Sequence, residues 1–62
     1  MEKSSTLTIL KNALLIERKG RSLYQTAMEK AEDESVKAFF KDLVADEEEH
    51  MRILEAQFKA YM

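Results

Sequence analysis

The sequence predicts an all-α protein: an antiparallel two-helix hairpin that pairs with a second copy into a four-helix bundle. The 62 residues include no proline and a single glycine, Gly20, so little in the chain interrupts a helix. Apolar residues recur in alternating steps of three and four along both halves. The segment Ala31–Ser35 is the short polar break between them. We therefore expect one domain over residues 1–62.

The first helix is predicted over about residues 5–31, with Ser4 or Ser5 as its N-cap. Its seam positions follow a heptad alternation, which is typical of a helix packed along another helix. These positions are Leu7, Leu10, Leu14, Glu17, Arg21, Tyr24, Met28 and Ala31.

The turn is predicted at about residues 32–34 and the second helix at about residues 35–61. Asp33 can cap this helix, and Glu34 lies where the helix dipole favours negative charge. The seam has one step of four in place of three near its end. It consists of Val36, Phe40, Leu43, Glu47, His50, Leu54, Phe58 and Tyr61.

The apolar surface is wider than these two seams. A helix with so broad an apolar face contacts two neighbours, as in a four-helix bundle. We therefore expect a homodimer or a higher homo-oligomer. The additional positions are Ile9, Ala13, Ile16, Leu23, Ala27, Phe39, Val44, Met51 and Ile53.

Composition excludes several other classes of protein. The net charge is −2 with both signs mixed, so no basic face for nucleic acid is predicted. The N-terminal residues are polar and the apolar stretch after them is interrupted, so neither a signal peptide nor a membrane span is predicted. We expect a cytoplasmic protein, with the interior of a protein compartment as a second location. Without cysteine, a chain this short needs a metal or a partner subunit for stability.

A metal site is predicted where the two seams become polar. Glu47 and His50 are three residues apart, a spacing that places both side chains on one helix face. Glu17 precedes Asp33 by 16 residues, whereas Glu47 and His50 follow it by 14 and 17. Because both helices rise by about 1.5 Å per residue, the three side chains should share one layer of the hairpin.

The homodimer would double this set of ligands. A two-fold axis near the helix midpoints would bring together four glutamates and two histidines. Two divalent cations would neutralise four carboxylates that are costly to bury unpaired. Carboxylates and imidazoles without thiolates suit iron, manganese or zinc, and a dinuclear site with mixed oxygen and nitrogen ligands favours iron or manganese. We expect two ions per dimer.

Other interpretations of these residues stay open. Glu17 could pair with Arg21, and Glu48 with Arg52, each as an ordinary ion pair on one helix. Tyr24 could be a packing residue, or its phenol could hydrogen-bond a ligand or supply an electron. The chain as a whole could be a non-catalytic dimerisation module whose buried polar pairs, or a purely structural metal, fix the helix register.

The chain resembles the first half of a rubrerythrin-type ferritin-like domain. The family pattern has a glutamate and, seven residues later, a tyrosine on one helix, followed by Glu-x-x-His on the next; Glu17, Tyr24, Glu47 and His50 match it. Further similarity lies in the stretches Ala13–Tyr24 and Val36–Phe40.

This resemblance implies a di-iron centre that reacts with oxygen or peroxide, and hence an oxidoreductase of the ferroxidase or peroxidase type. Most relatives carry both halves of the bundle in one chain, whereas the half-length, encapsulated-ferritin type completes its site by dimerisation. Rubrerythrins proper also have a cysteine-containing rubredoxin domain and an extra helix carboxylate. This sequence has no cysteine, and it has glycine at position 20. An external electron donor or an enclosing protein shell is the partner that the resemblance implies.

Overall fold

The computed structural model describes residues 3–62, which form two helices and a short loop. Helix α1 spans Lys3–Lys30, and helix α2 spans Glu34–Tyr61. They pack against each other as a hairpin about 47 Å long and 13 to 14 Å across. At its open end, Lys3 Nζ donates a hydrogen bond to the Met62 carbonyl oxygen over 3.2 Å. The predicted all-α hairpin is confirmed, and neither helix is long and apolar enough to cross a membrane.

The loop between the helices is set by Asp33, as predicted. Its backbone is extended, with φ −80° and ψ 128°, and its Oδ1 atom accepts hydrogen bonds from the amides of Ser35 at 2.8 Å and Val36 at 3.2 Å. These amides are among those left without partners at a helix start. Glu34 lies in the first turn, where its charge is favourable.

The predicted cap of the first helix is wrong. Helix α1 begins at Lys3, so Ser4 and Ser5 lie inside its first turn rather than ahead of it. The Ser4 carbonyl oxygen accepts a hydrogen bond from Thr8 Oγ1 at 3.0 Å, one turn further along the helix.

The seam predicted for α1 is confirmed, because all eight of its positions are half-buried. The seam predicted for α2 is only partly right. Val36, His50 and Tyr61 are exposed, whereas Val44 is the one described residue that is buried, at 7% exposure. Helix α2 thus keeps most of its predicted seam against α1 and is rotated slightly, so that Val44 and Met51 are covered beside it. Its covered positions include Phe40, Val44, Glu47, Met51, Leu54 and Phe58.

Large apolar side chains remain exposed along one side of the hairpin, here called the apolar side. Its members recur at intervals of seven on α1 and fourteen on α2, spacings that keep each set in one row along its helix. Each is more than half exposed. They are Ile9, Ile16 and Leu23 on α1, and Phe39 and Ile53 on α2.

The Asp33 cap yields a prediction about stability and pH. The pKa of Asp33 is lowered by hydrogen bonds from the Ser35 side chain and then from the amides of Val36 and Ser35. A lowered pKa in the folded state stabilises the fold above the usual value of 3.8, and this contribution is lost as the pH falls through the lowered pKa. Asp33→Ala should lower the melting temperature by a few degrees at neutral pH.

Asp33→Asn is the control, because asparagine caps helices as well as aspartate does but carries no charge. Its melting temperature should stay near that of the wild type at neutral pH, measured by circular dichroism. The difference between wild type and Asp33→Ala should shrink below pH 3.8. An equal difference at all pH values would contradict the role of the charged cap.

Candidate metal centre

The structure brings Glu17, Glu47 and His50 together near the middle of the hairpin. Glu17 projects from α1, and Glu47 and His50 project from α2 one turn apart. One ligand atom from each residue lies within 4.8 Å of the other two. The three-residue spacing on α2 and the count from Asp33 thus predicted the spatial grouping, which depends only on helix rise and the position of the turn.

The contacts within this cluster centre on the histidine ring. His50 Nδ1 lies 3.1 Å from Glu17 Oε2 and 4.0 Å from Glu47 Oε1. Glu47 is the most covered side chain, at 17% exposure, followed by Glu17 at 26% and His50 at 55%. The carboxylates therefore lie between the helices, whereas the imidazole stands at the edge of their contact.

The two carboxyl groups perturb each other. A hydrogen bond with Glu47, and then one with His50, lowers the pKa of Glu17. The hydrogen bond with Glu17, followed by desolvation and the Glu17 charge, raises the pKa of Glu47. Two nearby carboxyls behave in this way because their like charges disfavour double ionisation, so one of them retains a proton more strongly. The hydrogen bond with Glu17 raises the pKa of His50.

The ion pairs around the cluster differ from those considered on sequence grounds. Arg21 pairs with Glu48 across the two helices at 3.6 Å, not with Glu17 on its own helix. Arg52 pairs with Glu49, three residues before it, not with Glu48. The rotation of α2 directs Glu48 toward Arg21 on α1, and Arg52 pairs instead with Glu49 on its own helix. The partners of Glu17 are therefore Glu47 and His50.

Tyr24 lies next to this layer and packs on an aromatic ring. Its centroid is 6.2 Å from that of Phe40, with a 30° angle between the ring planes, and Phe40 in turn meets Phe39 edge-on at 5.4 Å. The hydrogen bonds of residues 3–62 include none from the Tyr24 hydroxyl to Glu17 or Glu47. Tyr24 therefore packs against a neighbouring ring, which is one of the two roles considered for it on sequence grounds.

The cluster opens toward the apolar side of the hairpin. A shallow cavity there is lined by Ala13, Glu17, His50, Ile53 and Leu54. Ile53 belongs to the apolar side, and Ala13 lies one helical turn before Ile16, so His50 lies beside apolar surface rather than within the charged exterior. Sequence reasoning missed this exposed position, because the heptad count placed His50 in the seam itself.

Comparison with protein families gives one match. The family model described as Rubrerythrin matches residues 8–62, which include most of helix α1, all of helix α2 and the whole cluster. No curated protein matches the chain, and no solved structure matches it.

The contact between His50 and Glu17 predicts a titration result for the metal-free protein. Because Glu17 raises the pKa of His50, Glu17→Gln should lower that pKa toward 6.5. The raised pKa stabilises the fold below pH 6.5, and this contribution is lost as the pH rises through the folded value. Histidine proton resonances followed by NMR measure the change.

Glu48→Gln is the matched control, since Glu48 pairs with Arg21 on the neighbouring position of α2. It should leave the His50 titration close to that of the wild type. The same shift in both variants would assign the effect to overall charge rather than to the Glu17 contact.

Proposed function

The chain belongs to the rubrerythrin family, and from this premise we propose that it is a di-iron carboxylate protein that oxidises iron(II) with oxygen or peroxide. The site is formed across a homodimer, with Glu17, Glu47 and His50 of each subunit as ligands. The observation that carries the proposal is the convergence of two carboxylates and one imidazole within 4.8 Å.

The donor set fits a divalent transition metal. Ligand atoms lie about 2.1 Å from such an ion, so two neighbouring ligands are separated by about 3 Å. The 3.1 Å between His50 Nδ1 and Glu17 Oε2 agrees with that separation, and Glu47 Oε1 needs only a small side-chain movement to join them. Carboxylate and imidazole without thiolate favour iron or manganese over softer metals, and also accept zinc.

The charge around the cluster supports a cation as its partner. Glu17 and Glu47 contact each other. Arg21 is the basic residue nearest to Glu17 in sequence on the α1 seam, and it pairs with Glu48. A divalent ion would compete with protons for the two carboxyls and relieve the repulsion between them.

The exposed apolar side supports the homodimer. Val44 alone is buried among residues 3–62, so one hairpin encloses very little core. A second copy placed over the apolar side would cover Ile16, Leu23 and Phe39, and at about 25 cal/mol per Å² of apolar area this burial is a strong driving force. It would also cover the open flank of His50 and unite two clusters into one site with two ions.

Each residue of the site has its own role in the proposed reaction. When bound, iron(II) supplies electrons, and two electrons with two protons reduce oxygen to hydrogen peroxide or peroxide to water. Glu17 and Glu47 favour the oxidation because anionic oxygen ligands stabilise iron(III) more than iron(II). His50 would bind the metal through a nitrogen of its neutral imidazole ring. Tyr24, one layer away, would hold or deliver a proton or an electron, and return to iron(II) requires an external electron donor.

A second candidate is a non-catalytic dimerisation module or a purely structural metal site. The 3.1 Å contact of His50 with Glu17 and the Arg21–Glu48 pair both cross the seam, and polar seam contacts can fix helix register without any chemistry. Metal content and iron oxidation distinguish this candidate from the enzyme.

The apolar side generates a prediction about assembly. Light scattering at micromolar concentration should give a mass of twice 7.2 kDa or a multiple of it, with helical signal lost on dilution as the dimer dissociates. Ile16→Glu should weaken the dimer by roughly 100-fold or more, because it buries an unpaired charge in the interface.

Leu15→Glu is the matched control, since Leu15 adjoins Ile16 in sequence, is also exposed and lies outside the rows of the apolar side. It should remain dimeric. A wild-type protein that is a stable, fully folded monomer would exclude the shared site.

The ligand set and the chemistry are tested together. Glu47→Ala and His50→Ala should each reduce iron(II) affinity by more than about 100-fold, whereas Glu48→Ala should retain one ion per chain. Metal analysis after anaerobic loading and gel filtration measures this. Air or peroxide should then produce iron(III) absorption faster with wild type than in buffer.

Two further variants separate binding from oxidation. Glu17→Ala should abolish the acceleration, whereas Tyr24→Phe should keep metal bound but slow turnover. Metal should leave below about pH 5, where the ligands compete for protons. Iron that binds to wild type yet oxidises no faster than with Glu17→Ala would leave a structural metal site.

A further inference from the structure

The two helices carry opposite net charges. Helix α1 has six basic and two acidic residues, a net charge of +4, whereas α2 has seven acidic and four basic residues, a net charge of −3. One of the two acidic residues of α1, Glu17, belongs to the metal cluster. The net charge of the whole chain, −2, conceals this division. The outer surface of α1 is therefore mainly basic, and that of α2 is mainly acidic.

The basic charge of α1 surrounds an exposed apolar residue, Leu15, which is 45% exposed. Lys11 precedes Leu15 by four residues, and Arg18 and Lys19 follow it by three and four, so all three are its neighbours on the helix surface. Leu15, Arg18, Lys19 and Ser22 line a shallow groove. None of the three cations has a carboxylate of residues 3–62 within 4.0 Å. We call Lys11, Leu15, Arg18 and Lys19 the basic face; an apolar centre with a charged rim is typical of a docking surface.

Helix α2 has the complementary pattern on the surface turned away from α1. Asp42, Asp46 and Glu49 are separated by four and then three residues, a spacing that places them on one helix face, and all three are exposed. These residues are called the acidic face, and Asp46 also borders the apolar side. Glu49 pairs with Arg52 on its own helix, but an exposed pair of this kind contributes little stability and leaves Glu49 free to exchange partners.

The two faces lie at the same height along the hairpin. Arg18 and Lys19 precede the cap residue Asp33 by 15 and 14 residues. Asp46 and Glu49 follow it by 13 and 16 residues. Because both helices rise by about 1.5 Å per residue, the two pairs of charges are centred at the same distance from the turn. A second copy placed side by side with the first, in the same direction, would thus set its basic face level with the acidic face of the first.

We propose that the basic face of α1 docks on the acidic face of α2 in another copy of this chain. The contact is heterologous, because each copy presents a different face to each of its two neighbours, and repetition of such a contact produces rings or filaments. It uses the outer surfaces of the helices rather than the apolar side that the proposed dimer would cover. The contact therefore requires no metal, and it would join dimers into a larger assembly.

Charge determines both the specificity and the salt dependence of this contact. Two basic faces or two acidic faces repel each other, so only the unlike pairing is favoured. Exposed ion pairs are individually weak, and salt screens them over a Debye length of about 10 Å at 0.1 M and about 30 Å at 0.01 M. Several such pairs, together with the covering of Leu15, should hold copies together at low salt and release them at high salt.

The test is light scattering on the full chain at about 0.01 M and about 0.5 M salt. For wild type, the mass at low salt should be a multiple of the mass at high salt. Lys19→Glu should weaken the low-salt association by roughly tenfold, because it replaces an attraction with a repulsion. Lys41→Glu is the matched control, since it makes the same change of charge at an exposed lysine outside both faces. It should associate as wild type does, and circular dichroism checks that each variant is helical.

A mixture of two variants tests the pairing of unlike faces. Glu49→Lys alters the opposite face and should also associate poorly alone. Mixed in equal amounts, Lys19→Glu and Glu49→Lys should recover the low-salt assembly, because each variant keeps the native face that the other has lost. Loss of folding cannot produce such a recovery.

Three results would overturn the proposal. One is a mixture that stays at the high-salt mass, and another is equal weakening by Lys19→Glu and Lys41→Glu, which would assign the effect to net charge. The third is a wild-type mass that does not change with salt. If wild type then binds polyglutamate and Lys19→Glu does not, the basic face serves a different acidic chain rather than a second copy.

Discussion

The structure depends on how two helices accommodate a polar layer in the middle of their apolar contact. Above and below that layer, leucine, phenylalanine and methionine side chains meet across the seam, but at its centre lie Glu17, Glu47 and His50. A single hairpin leaves these groups partly in water, and only Val44 is buried among residues 3–62. Any assembly that covers them must supply a compensating charge, because burial of unpaired carboxylates is strongly unfavourable.

Features that depend on local chemistry were predictable from the sequence. The polar break, the Asp33 cap and the α1 seam follow from residue type and a repeat of three and four, and helix rise then determines which residues share a layer. That is why Glu17, Glu47 and His50 could be grouped without a structure. The start of α1 was less predictable, because serine is acceptable both as a cap and within a first turn.

The rotation of α2 was not predictable from the repeat. Both the row that contains Val36 and His50 and the row that contains Val44 and Met51 are largely apolar, so periodicity alone does not say which row faces α1. In the structure the row that contains Val44 and Met51 is the one covered by α1. The consequence reaches the ion pairs, since the same rotation brings Glu48 to Arg21 and leaves His50 at the edge.

The rotation also determines which flank of the cluster is open. Around α2, Glu47 lies between Glu48, which is tied to α1 by Arg21, and His50, which stands on the apolar side. Within one hairpin the cluster is thus closed on its charged flank and open on its apolar flank. If a second copy covers the open flank and adds its own ligands, a metal ion binds the dimer more tightly than the hairpin. In that case linkage requires the ion to stabilise the dimer by the same factor by which the dimer strengthens ion binding.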